Sequence, residues 1–181
     1  MATLLTHPFI AVVVLPWFKA QPRSKTILFI GILLTLFPDA DVIGFHYGIP
    51  YEHWLGHRGL SHSIFFALLL ATVLSLITAK WLGASRRSVG IFYFLCLISH
   101  GLLDALTNGG LGIAFFAPFN NQRYFFPFQP IDVATLSIKR FFTLDGLSVI
   151  KSELVFIWLP GLLLLWIRAF MLKSTAIPSS Q

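Results

Sequence analysis

Four apolar runs, 26–45, 63–82, 89–106 and 154–172, each approach the length that crosses a bilayer, which is about 20 helical residues. Nothing else in the chain restricts its fold as much. A helix in lipid satisfies its own backbone N–H and C=O groups, whereas a lone strand cannot. The expected fold is therefore all-α, a polytopic helical membrane protein of about four to five transmembrane helices. Composition excludes an ordinary soluble domain, with 56% hydrophobic and only 11% charged residues. A fifth run, 4–18, is shorter and carries Pro16. It has neither a basic stretch before it nor a small-residue cleavage site, and reads as a short or kinked first membrane helix rather than a removable signal peptide. Residues 1–173 are expected to form a single helical membrane domain with an outer interfacial segment at 107–152, followed by a polar tail, 174–181. The lone Cys96 has no partner and reads as a small buried apolar residue.

The net charge of +6 does not imply a nucleic-acid partner, because the basic residues are scattered among loops. In a membrane chain they read as orientation signals. Lys19, Arg23 and Lys25 follow the first helix, Lys80, Arg86 and Arg87 flank a short loop, and Arg168 and Lys173 close the last span. The positive-inside rule makes these three groups cytoplasmic and the remaining loops external. Arg123, Lys139, Arg140 and Lys151 in the long outer segment weaken that bias.

Polar residues interrupt the spans in four places. His7 follows Thr6 and precedes Pro8 at the start of the first helix. Asp39 and Asp41, in LFPDAD, sit toward the end of the second. His57, Arg58 and His62, in GHRGLSHS, lie at or before the start of the third. His100 and Asp104, in SHGLLDALTNGG, end the fourth. Up-and-down connectivity places start, end, start and end on one face of the membrane, whichever way the chain is inserted. Ionisable groups in membrane helices are costly and usually face the bundle interior with a partner. His100 and Asp104 share a helix face at a spacing of four, with Thr107 following on that side. Ser61 and Ser63 are expected as capping residues of the third helix, which puts the His62 ring at its mouth, while His57 belongs to the loop.

Histidine and carboxylate without thiolate suit zinc, manganese or iron. The same cluster also fits a transporter or relay for metal ions or protons. A serine-hydrolase reading of Ser61, His62 and Ser63 fails, because the stretch lacks the closing glycine of a nucleophile elbow.

Four motifs in order, LFPDAD, HRGLSHS, HGLLDALTNGG and FAPFNNQRY, resemble the YdjM family of bacterial inner-membrane proteins. The likeness covers about residues 4 to 130. It implies a membrane-bound metal-dependent hydrolase in the inner membrane, and the positive-inside rule puts the site on the outer, periplasmic face. The order His, Asp, His, HxxxD is more distantly similar to the ligand order of zinc-dependent phospholipase C and its related nucleases. That likeness implies His7, Asp41, His62, His100 and Asp104 as ligands. Asp39 competes with Asp41, since residues two apart on a helix do not both point inward. No second HxxxD/E pair follows Asp104, so one or two divalent ions, zinc foremost, are expected rather than three.

A metal-activated water would act as the nucleophile, with Asp41 or Asp39 as an alternative general base. His57 and Arg58 are candidates to orient ligands or bind an anion, and Arg58 equally suits an interfacial anchor. The aromatic stretch Phe115, Phe116, Phe119, Tyr124, Phe125, Phe126 and Phe128 reads either as ordinary interfacial packing or as a cover over the site. A site at that depth suits a phospholipid or lipid-linked phosphate substrate. Asp132, Asp145 and Glu153 have no evident partner, and the oligomeric state is left open.

Overall fold

The computed structural model describes residues 3–18, 22–133 and 144–175. Lys19, Lys139 and Arg140, weighed above for orientation, lie outside them, as do residues 176–181 of the polar tail and the Asp145 side chain. Among the described residues there is no β-strand, and four helices are long and apolar enough to cross a membrane: Ser24–His46, Ile64–Leu82, Arg86–Ala105 and Gly146–Ser174. The chain is a polytopic helical membrane protein.

Helix α1, Thr6–Val14, passes into a 3-10 turn, Leu15–Trp17, at Pro16. Helix α2, Ser24–Leu36, likewise tightens to a 3-10 stretch, Phe37–Val42, whose second residue is Pro38, and ends in α3, Ile43–His46. A long loop leads through a 3-10 turn, Leu60–His62, into α4, Ile64–Leu82, which returns as α5, Arg86–Ala105. Ser63 caps α4 by accepting the Phe66 N–H at 3.1 Å. Ser61, the other residue expected to cap, lies within the preceding turn and serves another purpose.

Small residues explain how α4 and α5 pack. Ala67, Ala71, Ser75 and Ala79 recur every four residues and are buried, while Leu69, Val73, Leu76 and Ile77 face outward. A small-residue stripe lets helix backbones approach closely where lipid supplies no hydrophobic contrast. Gly31 does the same between α2 and α5, since a Cβ there would stand 2.6 Å from the Phe92 ring. Beside it lies Cys96, buried as expected.

The last span begins earlier than its apolar run suggests. Helix α6, Leu144–Glu153, continues through a π turn, Leu154–Trp158, into α7, Leu159–Thr175. The end of the outer segment is therefore helical. Lys151 and Glu153 mask this in the sequence, although Leu147, Val149 and Ile150 continue the apolar pattern. Gly161 brings α7 against Phe9 of α1, where a Cβ would meet the ring at 2.4 Å.

Two ends result. At one, Arg23 donates to the Trp81 carbonyl at 2.7 Å and Arg168 to that of Pro16 at 2.7 Å, drawing three of the basic groups together. At the other, the start of α1, the end of α2, the start of α4 and the end of α5 converge.

Candidate metal centre

The second end holds seven residues singled out by sequence: His7, Asp39, Asp41, His57, His62, His100 and Asp104. Asp39, His62, His100 and Asp104 each bring one ligand atom into a group whose members all lie within 4.8 Å of one another. Asp39 Oδ1 stands 3.2 Å from His100 Nε2 and 3.7 Å from His62 Nε2. Tetrahedral bonds of 2.0–2.1 Å would hold neighbouring donor atoms about 3.4 Å apart. The His62 and His100 rings lie 4.8 Å apart, centroid to centroid, at 77°.

Hydrogen bonds behind the rings decide which nitrogen faces the cluster. His100 Nδ1 lies 2.7 Å from the Thr35 carbonyl, which only accepts, so Nδ1 carries the proton and Nε2 turns a lone pair inward. Pro38 accounts for that carbonyl. It has no N–H to offer the residue three positions back, leaving the Thr35 oxygen open to His100. Ser61 Oγ donates to Asp41 Oδ2 at 2.5 Å, so toward His62 Nδ1, 2.9 Å away, it accepts. His62 therefore also presents Nε2. A protein acceptor behind the ring is what metal-ligating histidines ordinarily have.

His62 Nε2, His100 Nε2, both oxygens of Asp39 and both nitrogens of His7 are buried without a hydrogen bond. Buried polar atoms are nearly always paired, and a knot of orphaned polar atoms is costly unless a further partner, such as a cation, joins them. The donor set is hard-to-borderline nitrogen and oxygen, and it fits a divalent ion such as zinc. Burial draws the His62 pKa down, but the adjoining carboxylates of Asp39 and Asp41 more than offset it and push it up to about 9. An ion taking Nε2 would displace that proton.

The aspartates do not exclude each other, contrary to the expectation. His62 sits between them, with Asp39 toward Nε2 and Asp41 Oδ2 3.1 Å from Nδ1. In a 3-10 stretch, residues two apart diverge by about 120°, against about 160° in an α-helix. Both therefore reach one ring from opposite sides. Asp41 also accepts from the Arg58 N–H at 3.1 Å and lies 2.7 Å from His57 Nδ1, so it gathers the GHRGLSHS loop. Asp41, His57 and His62 form a second group of closely spaced donors. His7 stacks on His100 at 3.9 Å and places Nε2 3.7 Å from Asp104 Oδ1, at the edge of the four-residue group.

Arg58 is 1% exposed and does not anchor the surface. Its Nε faces Asp104 Oδ2 at 3.0 Å, Nη1 donates to the Gly109 carbonyl at 2.7 Å, and Nη2 reaches Thr107 Oγ1 at 3.4 Å. Its backbone is held at φ 63°, where L-residues are disfavoured. Gly110, at φ 88°, closes over the guanidinium, where a Cβ would come within 2.5 Å of Nη1.

Some contributors were not foreseen. Arg123 donates to the Tyr51 carbonyl at 2.7 Å and the His57 carbonyl at 3.0 Å, clamping the loop from outside. Its position in FNNQRY was the available signal. Glu153 accepts from Thr3 and Thr6 hydroxyls, each at 2.7 Å, tying the last helix to the residue before His7. Asp132 accepts from Asn108 at 2.7 Å and from Ser148. Of the aromatic stretch, Phe116, Phe119 and Phe128 are exposed, while Phe119 meets Phe65 edge-on and Phe115 tilts against Phe126. Those contacts are with α4 and within the stretch itself.

The family described as YdjM inner membrane protein matches residues 1–175. A relative in Escherichia coli K12, inner membrane protein YbcI, is 37% identical over 171 residues, covering 93% of this chain and 99% of that protein. No solved structure matches the chain. With four membrane-spanning helices and the four motifs meeting at one end, the chain belongs to the YdjM family of inner membrane proteins.

Proposed function

We propose that this protein is a metal-dependent hydrolase working at the membrane surface on a phosphoester, most naturally a phospholipid or another lipid-linked phosphate. The observation that carries the reading is the set of inward, hydrogen-bond-free donors, with the His62 and His100 tautomers fixed from behind. His62, His100, Asp39 and Asp104 hold the ion, with zinc the leading candidate, and His7 borders it. Bound divalent metal supplies Lewis acidity, polarising a phosphoryl oxygen and acidifying water at neutral pH. Of the four, Asp39 alone has a partly exposed side chain, 12% against 0% for the others, although both its oxygens are buried. We assign its second oxygen to take the water's proton. Asp41 orients His62 and His57, while Arg58 holds Asp104 in place.

Two features support an outer, one-sided site. The basic residues Arg23, Lys80, Arg86 and Arg87 gather at the opposite end, which the positive-inside rule makes cytoplasmic. Between the ends lie Ile27, Leu34, Phe92 and Leu97, all buried and apolar, where an ion or proton path would want polar groups.

The test is turnover by purified protein loaded with zinc, manganese or iron, assayed on phosphodiesters and phospholipid vesicles. Wild type should release product, whereas His100→Ala and Asp39→Asn should not, and both should lose metal. Full metal content in both variants would sink the proposal.

A further inference from the structure

The opposite end of the molecule carries a second feature, independent of the metal centre. A groove of about 370 Å³ runs along the outer seam of α4 and α5. Ala71, Ser75 and Gly90 form its floor, and Leu68, Ile91 and Phe94 its apolar walls. It follows α5 from Arg86 to Phe94, about 12 Å of rise from the start of that helix, and α4 from Ser75, near its middle, to Leu68. Arg86 and Arg87 line it where α5 begins.

Those two arginines stand where a helix least favours them. The first turn of an α-helix carries partial positive charge and prefers carboxylates. The first turn of α5 has no acidic residue, and its N-cap, Ser85, makes no side-chain capping bond. Neither arginine pairs with a carboxylate among the described residues, and both are exposed. Arg23, by contrast, is engaged by the Trp81 carbonyl and stacks over that ring at 4.8 Å. Positive potential is thus concentrated and uncompensated beside an apolar slot opening to lipid.

We infer that this groove binds an anionic phospholipid, one acyl chain lying along the α4–α5 seam and the headgroup phosphate taken by Arg86 and Arg87. Arginine suits that role because its planar fork meets phosphate oxygens in pairs. Basic pockets between transmembrane helices on the cytoplasmic side are suited to such headgroups. The slot explains why the arginines are paired here, and the arginines explain why the bound lipid is charged.

The test uses full-length protein in mild detergent, with bound lipid counted by native mass spectrometry on titration with phosphatidylglycerol or phosphatidylcholine of identical chains. Wild type should bind one phosphatidylglycerol saturably with about thirtyfold preference over phosphatidylcholine. R86Q/R87Q should reduce that preference to about twofold or less, leaving thermal unfolding unchanged. T72W, which fills the slot from an exposed lining position, should abolish saturable binding of both lipids. Inorganic phosphate at millimolar concentration should not displace the lipid. Equal binding of the two lipids by wild type would overturn the inference. So would R86Q/R87Q or T72W binding phosphatidylglycerol as wild type does, or displacement by free phosphate.

Discussion

The two ends of this bundle solve the problem of charge in a membrane protein differently. At the basic end the helices turn tightly, Gly83 capping α4 in the left-handed conformation, and the arginines stay at the surface. At the other end the backbone leaves α-helical geometry at three places, and histidine, arginine and aspartate are buried together. Irregular backbone is tolerated at membrane depth only where protein buries it or a cavity is lined. Here Pro38 frees a carbonyl, Arg58 adopts positive φ, and 3-10 turns bring Asp39 and Asp41 to opposite sides of the His62 ring. The contrast teaches that the site depends on where helices stop, more than on how they pack.

The sharpest way to break that comparison is to remove one inward ligand and one polar residue from the apolar middle. His62→Ala should bring metal in purified protein to less than about a tenth of the wild-type level, measured by elemental analysis, since its second donor shell collapses with it. Ser75→Ala should leave metal content unchanged. Similar losses in both would mean that the two regions are not distinct.

Next in size is the buried ion pair. Arg58→Ala breaks the buried contact of the guanidinium with Asp104 and should cost about 3–5 kcal/mol, read as a fall in thermal stability. Arg58→Lys should recover only part of it, because one ammonium cannot meet Asp104, Gly109 and Thr107 together. A variant as stable as wild type would show that Asp104 does not need that guanidinium.

The division between the aspartates gives a smaller effect. Asp41→Asn should weaken metal affinity about 10- to 100-fold while leaving the site fillable at high metal, as expected of a residue behind a ligand. Isothermal titration would check this, and Asp39→Asn should be the more severe. The reverse order would exchange their roles. The least costly change is Ser63→Ala, which removes a helix cap worth about 1 kcal/mol and should not alter metal binding.

Much of this was legible in the sequence because it is local. Spans follow from apolar length, the His100–Asp104 pair from helical periodicity, and the meeting of four motifs from up-and-down connectivity alone. What stayed hidden depends on backbone detail or on distant partners. The Asp39–Asp41 alternative assumed an α-helix, and the 3-10 stretch removed that assumption. Ser61 and Ser63 both looked like caps, and only the 3-10 turn Leu60–His62 shows that Ser63 alone has that role. Arg58 could not be paired with Asp104, nor Glu153 with Thr6, since no spacing rule reaches across 46 or 147 residues.

Pro38 is usually the kind of residue credited with ending a helix. In this chain it also offers no N–H to the Thr35 oxygen, which lies against His100 Nδ1 one helix away. A residue that stops one helix thereby helps fix a ring carried by another.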